Sequence, residues 1–203
     1  MIKVTLKDGS VNEYKRGITI KEVAESISAG LARVALAGEV DGVVRDLGYK
    51  IENDCKLNLL TFDDEGGRDA FRHTSSHIMA QAVKRLYPEA KLAIGPAIDT
   101  GFYYDFDVEK PFSPEDLEKI ENEMNKIIKE DYELERFVLP RDEAIKFMEE
   151  RGEPYKVELI KELPENEEIS FYKQGEFVDL CAGPHLPSTG KVKAFKLLSV
   201  AGA

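Results

Sequence analysis

The chain opens on two short β-prone runs, "IKVTL" and "SVNEY", separated by "KDG". Asp8-Gly9 supplies the positive φ that a tight turn needs, so this stretch is predicted to form a β-hairpin. The period then changes. In "TIKEVAESI", Ile20, Val23, Ala24 and Ile27 fall on one helical face, with Thr19 as N-cap. After Gly30, "ARVALAGEV", a turn at Asp41-Gly42 and "CKLNLL" read as further strands. Residues 1–62 are therefore expected to be a small mixed sheet wrapped on one helix. The polar stretch "FDDEGGRD", residues 62–69, carries the Gly66-Gly67 pair and reads as a domain boundary.

A second domain, residues 63–203, is predicted to open with a helix from about Asp69 to Tyr87, stopped by Pro88. "LAIGPAIDTGFYYDFDV" follows as a hairpin in which Tyr103 and Tyr104 point to opposite faces, one of them to the core. Ser113, Pro114 and Asp116 start a second helix with an approximate capping box. Its Leu117, Ile120, Met124, Ile127 and Ile128 make an apolar packing stripe. "RDEAIKFMEERG" is a third helix, closed by Gly152. "EFVDLC" and "KAFKLLSV" are expected strands around the turn "AGPHLPSTG". Helices interleaved with hairpins predict an α+β fold.

Composition narrows the function classes. The chain has 203 residues, enough for one large or two small domains. No run approaches the ~20 apolar residues of a membrane span, and "MIKVTLKDGS" lacks the apolar core of a secretory signal. Cys55 and Cys181 are too few for a disulfide framework, so a reducing, cytoplasmic location is expected, with Cys55 a structural residue. The net charge of −11 is uneven: residues 112–170 hold 19 acidic against 9 basic side chains, while residues 1–62 balance at 9 each. The acidic segment reads as a solvated helix face. Any nucleic-acid contact must then use a local patch turned away from it.

The chemistry concentrates in a few residues. The chain has three histidines, His73 and His77 in "RHTSSHIMAQAVKRLY" and His185 in "DLCAGPH". On the predicted helix, Phe71, Ile78 and Ala82 share one face, and His73 and His77 share the opposite one. Side chains four apart are close enough to grip one atom or one ligand. The zinc-protease pattern needs Glu where Thr74 stands, which excludes that chemistry. Cys181 and His185 form a second pair four apart, enclosing a turn built on Gly183-Pro184. If the strand end meets the helix, three histidines and one cysteine can make a tetrahedral zinc set. Spacing alone leaves a metal site, a metal-free hydrolytic pocket and unrelated surface residues open.

Four stretches in order, "RHTSSHIMAQAVKRLYP", "AIGPAIDTGFYYDFD", "RGEPYKVELI" and "DLCAGPHLP", resemble the N-terminal half of the bacterial threonyl-tRNA synthetase family. The resemblance covers essentially the whole chain. It implies that residues 1–62 are a TGS domain, a ubiquitin-like β-grasp module. Residues 63–203 would be a two-layer α+β editing domain, related to that of alanyl-tRNA synthetases. The family usually has Arg between the Cys and Gly of the turn; Ala182 stands there and removes a tRNA contact. The chain stops at "KLLSVAGA", before the family's ATP, Mg, threonine and catalytic zinc sites, so it is expected to be a fragment that does not charge tRNA.

The activity implied instead is hydrolysis of seryl-tRNA(Thr). Serine lacks one methyl of threonine, and that difference is worth only ~1–3 kcal/mol in a pocket. A second, serine-sized pocket completes a double sieve. The resemblance implies that His73, His77, Lys156, Asp179, Cys181 and His185 form the catalytic set. His73 would orient or deprotonate water, since imidazole titrates nearest neutral pH. Lys156 would stabilise the oxyanion or the leaving ribose oxygen. Asp179 would hold the substrate ammonium, and Tyr104 would wall the adenosine or seryl group. Cys181 as a nucleophile would need a thiolate, which so activated an ester does not require. No cofactor is required by this reading; zinc on His73, His77, Cys181 and His185 is the alternative, as in the alanyl relatives. The implied partner is tRNA(Thr) mischarged with serine, with no membrane; the fragment would be monomeric and the full-length protein homodimeric. Two rival classes remain, a non-catalytic tRNA-binding appendage and a zinc-stabilised structural module that chelator would unfold.

Overall fold

Strands β1 (Ile2–Leu6) and β2 (Val11–Tyr14) close the first hairpin around Gly9, whose φ is 87°, in a computed structural model that describes residues 1–202. Strand β3 (Ile18–Thr19) leads into α1 (Ile20–Ile27). The helix starts under a full capping box: Glu22 N–H donates to Thr19 Oγ1 at 3.1 Å, and Thr19 N–H donates to Glu22 Oε2 at 2.8 Å. After α2 (Ala29–Val34) come β4 (Ala37–Val40), β5 (Val43–Arg45), β6 (Lys50–Ile51) and β7 (Cys55–Leu60). The sheet order is β2-β1-β7-β4-β5, with β1 and β7 parallel and the other pairs antiparallel; β3 pairs separately with β6. Ile20 and Val23 of α1 pack with Ile2, Val4 and Leu57 of the sheet, and Cys55 belongs to the same core. A Cβ at residue 38 would lie 2.6 Å from Ile20 Cγ2, so Gly38 lets the helix lie flat on the strand.

Two details of this unit differ from the expectation. Residues 32–34, the start of an expected strand, belong to α2 instead, because Ser28 Oγ accepts the Leu31 N–H and restarts a helix. Ile27, at the end of α1, is exposed. The division into a β-sheet unit and a second unit falls at Arg72, and residues Gly183–Pro187 group with the first. The second unit comprises His73–Ala182 and Ser188 onward.

Helix α3 (Glu65–Leu86) begins at Glu65 rather than Asp69 and includes both glycines of the expected boundary. Close approach explains them. A Cβ at residue 67 would stand 1.9 Å from the Thr61 carbonyl oxygen, and one at residue 66 would stand 2.8 Å from Leu60 Cδ1. Asp64 Oδ2 accepts the Thr61 N–H and ties the strand end to the helix start.

In the second unit, β9 (Ala97–Ile98) and β10 (Gly101–Phe102) form a hairpin nested inside β8 (Lys91–Leu92) and β11 (Phe106–Asp107). Helix α4 (Pro114–Glu130) starts on the Ser113–Asp116 capping box and buries Ile120, Met124 and Ile127. Strand β12 (Leu134–Val138), α5 (Arg141–Glu150), α6 (Pro154–Glu162), β13 (Ser170–Gln174) and β14 (Phe177–Leu180) follow. The three strands pair antiparallel in the order β12-β13-β14. Ala144 and Met148 of α5 and Val157 and Ile160 of α6 pack on Phe171 and Val178 of that sheet.

Helix α6 stands where sequence pattern suggested no element, although Pro154 at its first turn is a start signal. "KAFKLLSV" carries no strand: the Leu197 N–H and the Lys196 ammonium are bound by Glu121. Part of the acidic segment is not merely solvated. The Arg85 guanidinium pairs with Glu123, Glu130 and Glu176, the last at 2.6 Å. Among the described residues no helix is long and apolar enough to cross a membrane.

Gly67→Ala is expected to cost about 1–3 kcal/mol in urea unfolding because the new methyl meets backbone, whereas Gly101→Ala, with nothing within 4 Å, should stay within about 0.5 kcal/mol. Arg85 is also the largest cause of a lowered Glu176 pKa. The pair's contribution is therefore complete above the ordinary carboxyl value of 4.5 and is lost as pH falls through the lower native value. The stability gap between wild type and Arg85→Met should accordingly shrink in unfolding curves recorded below that pH.

Candidate functional site

The second unit sets α3 against β14, and the two periods match. Four residues of helix rise about 6 Å, and two residues of strand advance about 6.7 Å. His73 and His77 therefore face Cys181 and Asp179 in turn. Cys181 Sγ lies 3.2 Å from His73 Nε2, and His77 Nε2 lies 3.6 Å from Asp179 Oδ2. The two imidazoles meet edge to face with centroids 5.0 Å apart. One ligand atom from each of His73, His77 and Cys181 lies within 4.8 Å of the others. Cys181 continues the strand pairing, its N–H donating to Ser170 O at 3.0 Å while Ser170 Oγ donates back to Cys181 O.

Asp179 is the centre of the cluster. Its side chain is 1% exposed, and three groups converge on its two oxygens. Lys156 Nζ, from α6, stands 3.0 Å from Oδ1. Tyr104 Oη donates to Oδ2 at 2.6 Å, on the same oxygen that faces His77. The Lys156 ammonium also lies 5.4 Å over the Tyr104 ring. Burial, then the proximity of His73 and Lys156, holds His77 well below the ordinary histidine range, so its imidazole is neutral at physiological pH. Burial and the adjacent Asp179 carboxylate push the Tyr104 phenol well above its usual value. Tyr104 therefore acts as a donor and not as a base. Tyr103 is exposed where Tyr104 is buried, as alternation predicted.

Several groups that frame the site escaped the sequence patterns. Ser76 Oγ reaches both His73 O, at 2.7 Å, and Gly95 O, at 2.8 Å. A Cβ at residue 95 would lie 2.0 Å from the Tyr104 ring, so Gly95 allows the backbone to lie flush on it. Phe106 stacks on Tyr104 with ring centroids 4.8 Å apart. Residues Thr74 to Ile78 are all buried, so α3 is enclosed on its histidine side as well as its apolar side. Polar and apolar residues buried alike leave no amphipathic signature, which is why sequence pattern hid this enclosure.

His185 lies in the Gly183–Pro187 turn, which groups with the N-terminal unit. It is buried there, and its backbone N–H donates to Asp46 Oδ1 at 2.7 Å. The Gly183–Pro184 bond is cis.

Comparison with known proteins finds two matching family models and a set of similar proteins. Residues 2–61 match the TGS domain, and residues 169–202 match the threonyl and alanyl tRNA synthetase second additional domain. Along its length the chain is similar to the N-terminal region of threonine–tRNA ligases. It is 84% identical over 203 residues to the threonine–tRNA ligase of Acetivibrio thermocellus, covering all of this chain and 32% of the relative. The ligase of Caldanaerobacter subterraneus subsp. tengcongensis is 68% identical over 200 residues, 98% of this chain and 31% of that protein. That of Clostridium kluyveri is 64% identical over 203 residues, again all of this chain and 32% of the relative. The chain thus spans about a third of the length of the curated relatives it matches.

Because Asp179 neutralises a buried ammonium, Asp179→Ala should destabilise the protein by ~3–5 kcal/mol by stranding Lys156. The double variant Asp179→Ala/Lys156→Met should recover most of that loss in chemical denaturation.

Proposed function

We propose that this chain is an editing module of a threonine–tRNA ligase, a TGS domain over residues 1–62 and an editing domain over 63–203. It hydrolyses the ester of tRNA(Thr) mischarged with serine. The observation that carries this reading is the Asp179 carboxylate, buried and shared by Lys156, Tyr104 and His77, beside the His73–Cys181 pair. A structural core has no need of so many polar groups in one place, each costly to bury unless paired.

The chain's own residues suffice for ester hydrolysis. The seryl ammonium exchanges with Lys156 on Asp179, one cation for another, and frees Nζ for the ester oxygen. His73, only partly buried, takes a proton from water as that water attacks the carbonyl carbon. The C–O bond to ribose breaks, and the ribose oxygen leaves with the proton that His73 took from water, which regenerates the neutral imidazole. Free serine and uncharged tRNA result. Lys156 steadies the negative charge that builds on oxygen in a water-poor site. His77, neutral and held against Asp179, keeps that carboxylate aimed. Tyr104 and Gly95 form the wall that limits the size of the amino acid admitted, which excludes the extra methyl of threonine.

The donor set fits zinc in kind, two imidazoles and a thiol within 4.8 Å. His185, four residues beyond Cys181 in sequence, is the candidate fourth ligand. Zinc held there would supply Lewis-acid activation of water. Against a required metal, His73 and Cys181 already pair with each other, and His77 faces Asp179. The reading adopted is metal-free.

The test is deacylation of seryl- and threonyl-tRNA(Thr) with and without chelator, beside His73→Ala. Selective release of serine is expected, insensitive to chelator and reduced ~100-fold or more in the variant. Chelator sensitivity would instead make the site a zinc centre. No hydrolysis with tRNA binding intact would make the module a binding appendage.

A further inference from the structure

Glu153 is a buried carboxylate that the hydrolytic reading does not use. It is 4% exposed and immediately precedes α6, the helix that carries Lys156. Its side chain does not cap that helix. Instead Oε2 accepts the Leu92 N–H of β8 at 2.8 Å, and Oε1 pairs with Lys84 Nζ of α3 at 2.9 Å. Leu92 sits opposite Phe106 in the β8–β11 pair, and Phe106 stacks on Tyr104. Tyr104 and Lys156 then meet on Asp179. The contacts close a circuit: Glu153 to Leu92, Phe106, Tyr104 and Asp179, and back through Lys156 and α6.

We propose that Glu153 is a positioning residue of the hydrolytic site. It pins the start of α6 to the hairpin that bears Tyr104, and so sets the Lys156 ammonium against Asp179 and over the Tyr104 ring. The argument is geometric. Lys156 lies one helical turn after Glu153, so a shift at the α6 start carries directly to its ammonium. Lys156 is held by one carboxylate at the end of a long, flexible stem; Val157 and Ile160 seat the body of α6 on the sheet, and the link at Leu92 ties its first turn to the segment that leads to Tyr104. Lys84 neutralises Glu153 but does not depend on it alone, since its ammonium also donates to Pro88 O at 3.1 Å and Ala90 O at 2.8 Å. The hydrogen bond that Glu153 Oε2 accepts from the Leu92 N–H is therefore the functional contact, and the charge is secondary.

The role rests on the editing reading for its consequence but not for its geometry, and the test separates the two. The full chain is compared with Glu153→Ala and Glu153→Gln; glutamine keeps an oxygen for the Leu92 N–H. Deacylation of seryl-tRNA(Thr) is split into kcat and KM, and Lys156 accessibility is read by trace acetylation with acetic anhydride and mass spectrometry. In wild type, Lys156 should be protected relative to the exposed Lys173 of β13. Glu153→Ala should raise Lys156 acetylation about tenfold with Lys173 unchanged, as expected for a local opening. It should lower kcat by roughly 10- to 100-fold with little change in KM, the scale of a small misplacement. Glu153→Gln should restore most of both. If wild type does not deacylate but the acetylation pattern holds, the positioning role stands and the editing reading falls. The proposal is overturned if Lys156 stays protected in Glu153→Ala. It is also overturned if alanine and glutamine variants lose kcat and thermal stability in parallel, because that pattern marks a merely structural carboxylate.

Discussion

Burying the Asp179 carboxylate constrains most of what surrounds it. An ionised group removed from water costs several kcal/mol unless partners replace its hydration. The second unit supplies three, and each comes from a different element: His77 from α3, Tyr104 from the hairpin and Lys156 from α6. Helix, hairpin and sheet must therefore be in register before the carboxylate is satisfied. The same requirement explains Gly95, where any side chain would push Tyr104 off its oxygen. Groups assembled under that demand are held in fixed positions by one another.

Environment divides the two histidines. They are neighbours on one helix face, but His77 is almost wholly enclosed and neutral, whereas His73 is partly open and meets a thiol. Different burial of like groups is the usual means by which one site separates a positioning role from a proton-transfer role. Tyr104, with its phenol held far from ionisation, adds a fixed donor. These are the groups on which the proposed ester hydrolysis relies, and the likeness of the chain to threonine–tRNA ligases supports that proposal.

Charge is handled in the same local fashion. The chain is acidic overall, yet Arg85 gathers Glu123, Glu130 and Glu176, and Lys84 takes Glu153. These pairings tie α3 to α4, to the β13–β14 turn and to the start of α6, so acidic residues that look like solvated surface serve as cross-links between elements. Net charge counts them all alike; only their partners distinguish them.

The β-grasp unit was largely legible in the sequence, because its signals are local: the turns at Gly9 and Asp41-Gly42, the Thr19–Glu22 capping box and the apolar alternation of β1 and β7. The same holds for α4, fixed by Ser113 and its apolar stripe. The histidine pair was legible for the same reason, since i, i+4 geometry is a property of the helix alone. What sequence periodicity could not reach was the glycine pair inside α3, the helix at Pro154–Glu162 and the convergence on Asp179. Each of these depends on an atom far away along the chain: the Thr61 carbonyl that leaves no room for a side chain at residue 67, or the Lys156 ammonium that balances Asp179. Local propensity determined which elements form and which residues could do chemistry. Close packing and the cost of burying charge, which exist only once the chain has folded, decided which of them meet.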